Sequence, residues 1–291
     1  MIYDVSHKTV YRYASPVVQS QHLVHMSPRL VERQRVKGHT LLIDPAPTIR
    51  AEREDYYGNR VVLFDIEQEH EELTVHAKST IDVVARETVD LPGSAPWETL
   101  AEASASGSGA LALEVVRYAC ASRHTRPTLE IAEYARKSFS PNRAVLLCAW
   151  DLVTRIYHDF VFDATATDIS TPVSEVLQRR RGVCQDFSHL ALACLRALHL
   201  PARYVSGYIL TSPPPGLPRL AGADASHAWI SVWAPEAGWV DFDPTNGLMP
   251  RDEHITIAYG RDYDDVSPIS GILLGGNEHS VAVGVDVLPV G

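Results

Sequence analysis

The chain has 291 residues, enough for one large or two ordinary domains with a substantial core, and its 45% hydrophobic and 21% charged shares are those of a soluble globular protein. A formal charge of −10 gives a nucleic-acid role no general electrostatic support. The start, MIYDVSHKTVYRYASPVV, has no basic segment leading into an apolar one, and no apolar run approaches the roughly 18 residues of a membrane span. Neither a signal peptide nor a membrane segment is therefore expected. Four cysteines, Cys120, Cys148, Cys184 and Cys194, make no disulfide framework in so long a chain, so a reducing cytoplasmic setting with free thiols is expected.

Residues 1–90 read as short strands. YDVSHKTVYRY alternates, HTLLIDPAP ends in prolines, and YYGNRVVLFDI places Gly58-Asn59 before a β-branched run. ELTVHAKSTIDVVA is a strand pair or one long strand, and the set suggests a β-sandwich domain. His22 and His25 lie in this region without a nearby thiol or carboxylate, and read as strand residues rather than metal ligands. Residues 91–128 are a connection with a helix in it, beginning with the Gly-, Pro-, Ala- and Ser-rich LPGSAPWETLAEASASGSGA.

Residues 129–291 form the second domain. TLEIAEYARKSF carries Thr128 as its N-cap, and NRAVLLCAWDLVTRIYHDF continues the helical pattern. STPVSEVLQRR reads as a short helix capped by Ser170 or Thr171, with Pro172 in its first turn. Strands follow: ARYVSGYIL, SHAWISVWA, GWVDFDPT and HSVAVGVDVLPV. Helices first and strands afterwards give an α+β fold behind an all-β domain.

Between helices and strands lies RRGVCQDFSHLALACLRALHL. Phe187, Leu190, Ala191, Cys194, Leu195 and Leu198 keep a helical apolar spacing, which places Cys184 at or near the first turn. Amide dipoles there favour a thiolate, whereas Cys194 sits in mid-helix and reads as core. Cys184, His189, Cys194 and His199 recur every five residues like zinc ligands, but successive members point about 140° apart on a helix and cannot converge.

A nucleophilic cysteine needs a base and an orienter. SHAWISVWAPEAGWVDFDPTNG offers both. If Trp233 and Trp239 face each other across a hairpin, His227 and Asp243 lie diagonally on one face, with Asp241 one pair further away. The acidic GRDYDDVSP, with Asp262, Asp264 and Asp265, lacks calcium-loop spacing and reads as a capping turn.

The blocks GVCQDFSHLALACLRALHLPARYVSGYI, HAWISVWAPEAGWVDFDPTNG and GRDYDDVSPISG resemble the bacterial branch of the transglutaminase-like superfamily. YDVSHKTVYRYASPVVQSQHLVHMSPR and DYYGN resemble the β-rich domain that precedes its catalytic core. The resemblance implies an N-terminal β-sandwich followed by a papain-like, transglutaminase-like core, with Cys184 as nucleophile, His227 as base and Asp243 as orienter. It makes Trp229 and Trp239 supports of the site, Asp186 a cap or brace, and Arg203 and Tyr208 framework residues. One departure concerns the oxyanion: where the family often carries an aromatic donor, DFVFD presents Phe162, which leaves the Cys184 amide and a second donor such as Gln185 or His158. The function implied is amide acyl transfer through a thioester on a peptide, glutaminyl or γ-glutamyl amide substrate, with hydrolysis favoured over crosslinking. The alternative is a binding or scaffold protein that kept the fold. No metal or cofactor, nucleic acid or membrane partner is expected, and homo-oligomerisation through the N-terminal domain is left open.

Overall fold

The structure is a computed structural model that describes residues 1–106, 111–210 and 226–290. Its N-terminal part is organised by one 23-residue strand, β1 (Ile2–Val24). Its ladder with β5 (His70–Val83) shifts register between Arg12 and Val17, where Pro16 has no amide proton to donate. The two halves of β1 consequently serve two leaves. β2 (Gln34–Asp44) and β5 join the first half, and β3 (Ile49–Glu54) and β4 (Arg60–Ile66) join the second. Val24, Phe64, Ile66, Leu73 and Val75 fill the space between the leaves, giving the expected sandwich.

Helices follow in the order α1 (Trp97–Ala105), α2 (Leu113–Val116), α3 (Leu129–Arg136), α4 (Val145–Asp159), α5 (Val173–Arg179) and α6 (Cys184–Arg196). α1 lies inside the segment that reads as a connection. Thr128 caps α3 as its sequence suggests, accepting from the Ile131 amide. The cap of α5 differs: Pro172 occupies the N-cap, and the hydroxyls of Ser170 and Thr171 turn back to Asp168 Oδ1. β6 (Val161–Phe162) and β7 (Arg181–Gly182) form a short parallel pair just before α6. Every α6 residue from Asp186 to Arg196 is buried, so this helix is the axle of the second domain.

An antiparallel sheet covers it in the order β10 (Gly238–Phe242), β9 (Ser226–Ala234), β8 (Ala202–Ile209), β11 (His254–Gly260). The chain then returns to the first domain. β12 (Ile269–Gly275) and β13 (His279–Pro289) both pair with β1, β12 along its second half and β13 along its first. These strands fall in the 129–291 range expected of the core, but they complete the N-terminal sheet. Their pairing partner lies at the opposite end of the chain, which no local pattern discloses.

The two domains meet at β11. The Gln34 side-chain amide accepts from the Thr256 N–H and donates to the Thr256 carbonyl, both at 2.8 Å. Asn59 does the same for Tyr259, again at 2.8 Å in each direction. Two buried side chains thus replace a neighbouring strand along the open edge of β11. Asn59→Ala strands both Tyr259 backbone groups, and a loss of about 2–6 kcal/mol is expected in urea unfolding, since each orphaned buried group costs roughly 1–3 kcal/mol.

Candidate active site

Cys184 opens α6, and its backbone N–H belongs to the first turn, which has no intrahelical acceptor. Asp186 fixes this turn: its Oδ2 accepts from the Val183 amide at 2.8 Å and from Thr167 Oγ1 at 2.6 Å. Burial raises the Asp186 pKa, while those two donors pull it down. Gly182 allows the close approach, because a Cβ there would lie 2.6 Å from Asp186 Oδ2. Asp186 is therefore the brace of the helix start.

His227 and Asp243 come from the hairpin in the expected register, with Trp233 opposite Trp239 and Ser231 opposite Asp241. His227 Nε2 lies 2.7 Å from Asp243 Oδ2, and both residues are buried. The carboxylate can only accept, so Nε2 carries a proton and Nδ1 is the nitrogen left for the thiol. Burial lowers the His227 pKa, but hydrogen bonding to Asp243 and Cys184 outweighs it and raises the value to about 10. Burial likewise works against ionised Asp243, and bonds from two histidines hold its pKa well below the usual carboxylate range. Asp241, the rival orienter, lies instead 3.6 Å from Arg33.

The second histidine is His254, at the start of β11. Its Nε2 lies 3.0 Å from the same Asp243 Oδ2, and Asn246 Nδ2 donates to that oxygen at 2.7 Å. Oδ1 accepts from the Thr245 and Asn246 amides. Nothing in the sequence reading singled out His254 or Asn246. DPTNG announced a turn, which is what holds Asn246, but HITIAYG did not announce a strand of the same sheet, on the far side of β8 from the hairpin.

The remaining expected residues divide. Trp229 is fully buried, 6.0 Å from the His227 ring and edge-on to His254 at 5.0 Å, so it supports the site. Gly207 makes room for it, since a Cβ there would sit 2.6 Å from the indole and 2.0 Å from the Ile255 carbonyl. Trp239 is placed differently: its ring contacts are Tyr118 and the Arg203 guanidinium, at the junction with the connecting segment. Tyr208 ties the core to β1 through His7 Nδ1 at 2.8 Å. Gln185 is half-buried in the first turn of α6, His158 is exposed beside Tyr157, and Phe162 pairs with Gly182 with its ring largely exposed.

The groups read against metal binding fall apart as ligand sets. His189 accepts from the Tyr263 amide, Cys194 is buried with its pKa pushed up to about 12, and Asp262 caps the turn that Asp264 and Asp265 occupy. Buried His22 lies against Phe64; His25 bonds the Ser267 carbonyl through Nδ1 and, contrary to the expectation that no carboxylate is near it, lies 3.3 Å from Asp55 Oδ2 through Nε2. Among the described residues, the ligand atoms of His227, Asp243 and His254 all lie within 4.8 Å of one another. Their 2.7 and 3.0 Å contacts are hydrogen-bond distances, shorter than the roughly 3.3–3.5 Å between ligand atoms around a tetrahedral zinc.

Residues 3–82 match the bacterial transglutaminase-like N-terminal region, and residues 132–244 match the transglutaminase-like superfamily. An uncharacterized Mycobacterium tuberculosis protein is 43% identical over 99% of this chain and 92% of its own length. An uncharacterized Mycobacterium leprae protein is 32% identical over 97% of each chain. A protein-glutamine gamma-glutamyltransferase of Pseudomonas aeruginosa is 28% identical over 42% of this chain and 18% of its own. The crystal structure of a Cytophaga hutchinsonii protein proposed to be a cysteine protease shares the fold, with a TM-score of 0.74 and 21% identity over 100% of this chain and 92% of that one. The chain belongs to the bacterial transglutaminase-like superfamily, with a β-rich N-terminal region ahead of a papain-like core.

Asp243→Asn removes the charge that two buried imidazoles share and is expected to cost about 3–5 kcal/mol at pH 6. The raised His227 pKa contributes fully below its ordinary 6.5 and is lost as pH rises through about 10. The lowered Asp243 pKa contributes above its ordinary 3.8 and is lost as pH falls. Urea unfolding at several pH values is therefore expected to show the largest penalty for Asp243→Asn between about pH 4 and 6.5, shrinking toward pH 10.

Proposed function

We propose that the protein is a cysteine-dependent enzyme that transfers the acyl group of a glutaminyl or peptide amide to water through a thioester on Cys184. The observation that carries the proposal is a buried imidazole held at 2.7 Å by Asp243, whose basicity the Cys184 sulfur at the start of α6 also raises. The Pseudomonas relative's name supplies the substrate class, a protein glutamine.

In acylation, the Cys184 sulfur forms a bond to the amide carbon, and the carbonyl electron pair moves onto oxygen beside the Cys184 amide. The tetrahedral adduct collapses, the C–N bond breaks, and the His227 Nδ1 proton passes to the departing ammonia or amine. Part of the His227 basicity comes from Cys184, so converting the sulfur to an uncharged thioester makes the imidazole a weaker base. The neutral ring then takes a proton from the attacking water as the acid forms and the C–S bond breaks, which regenerates thiolate and imidazolium together. Asp243 holds the ring with its Nε2–H directed at the carboxylate throughout. Water is the acceptor we assign, because indiscriminate joining of glutamines to lysines would damage a cell's own proteins.

Intact-mass measurement during turnover of glutaminyl peptides and γ-glutamyl amides tests the proposal. An acyl adduct on the wild-type chain is expected, with ammonia or amine release that falls at least about 10³-fold in Cys184→Ala. Adding methylamine then separates acceptors: continued acid formation supports hydrolysis, and amide formation assigns crosslinking. No adduct and no release across the panel would leave a scaffold that kept the fold.

A further inference from the structure

His254 has no part in the chemistry above, yet it is almost fully buried and shares an oxygen with the base of that chemistry. We propose that His254 is a positioning residue that acts through Asp243, donating Nε2–H to Oδ2 and so limiting how strongly Asp243 holds the His227 imidazolium. The proposal rests on the reading of Cys184 and His227 as a reacting pair.

The carboxylate's orientation does not need His254. Oδ1 is held by the Thr245 and Asn246 amides, and Oδ2 by the Asn246 side chain. What His254 adds is a further donor on the oxygen that faces His227, at 3.0 Å against 2.7 Å. Each donor draws electron density from Oδ2, so His254 weakens the bond to His227 and makes its proton easier to release. A neutral His227 is the form that hydrolysis of a thioester requires.

The far side of His254 is built to keep this donor in place. His254 Nδ1 and Trp229 Nε1 are both buried without a partner in the protein. Both residues line a cavity of about 20 Å³ together with Gln34, Thr256, Asp241 and Arg33. That volume is large enough for one water, which there could accept from the indole N–H and donate to His254 Nδ1. Glu253 Oε1, at 3.7 Å from Nδ1, is too distant for a direct bond. The charged or titratable groups facing His254 are thus His227 and Asp243 on the Nε2 side, Glu253 on the Nδ1 side, and Asp241, Arg33 and Arg251 around the cavity.

Alkylation of Cys184 by iodoacetamide, followed from pH 4 to 9, tests the idea without any substrate. His227→Ala slows wild-type alkylation at pH 6 if the pair reacts as proposed; an unchanged rate defeats the underlying reading rather than this inference. Given that control, His254→Phe keeps a buried ring and loses the donor, and its rate on the acid limb is expected to rise at least about threefold as the limb moves to lower pH. His254→Gln, which places an amide N–H near the same oxygen, is expected to restore the wild-type profile. A His254→Phe profile that is unchanged or moved to higher pH overturns the proposal. Should that variant fail to fold, ¹⁵N spectra of the wild-type imidazole decide: Nε2 of His254 protonated at pH 7 is expected, and a bare Nε2 overturns it.

Discussion

A single buried oxygen, Asp243 Oδ2, organises the centre of this molecule. It receives His227, His254 and the Asn246 amide within 3.0 Å, from β9, from β11 two strands away across β8, and from a turn. An ionised carboxylate without water is tolerated only when it is saturated in this way. The requirement runs in both directions. The donors stabilise the charge, and the charge selects which nitrogen of each imidazole carries a proton, leaving His227 Nδ1 for Cys184. The imidazole's orientation is thus a consequence of charge burial rather than of packing alone.

That arrangement depends on parts of the chain far from the cysteine. His254 is at the start of β11, whose outer edge is held by Gln34 and Asn59 of the first domain. The first domain is in turn closed by β12 and β13, the last strands of the chain. The β-rich domain therefore shares in building the site's rear wall. On the opposite side, α6 is anchored by Asp186 and by burial along its length, so Cys184 projects from a fixed helix end. Regular structure thus carries both residues, α6 for Cys184 and β9 for His227.

Much of this was legible in the sequence because it is local. The apolar spacing after Cys184 disclosed a buried helix, and the Trp233–Trp239 register followed from alternation and one turn, which gave Asp243 priority over Asp241. The capping residue Thr128 was legible for the same reason. What escaped depends on long-range partners. His254 is one of 13 histidines in a segment without marked alternation, and its importance comes only from lying beside Asp243. The last two strands look like part of the second domain until β1 claims them. Trp239 shares a motif with its neighbours but packs on Tyr118 and Arg203, because its place on the strand puts it further along the sheet than Trp229.

Protonation of His227 is the property in which all these constraints meet. Observing its imidazole carbon and nitrogen shifts by NMR between about pH 5 and 11, in the wild-type chain and in Cys184→Ala, measures it directly. An imidazolium that persists past about pH 8, with its midpoint falling when the sulfur is removed, is the result expected from the bond to Asp243 and the nearby Cys184 sulfur. A ring that loses its proton near 6.5 in both proteins would show that sulfur and carboxylate do not act on one imidazole.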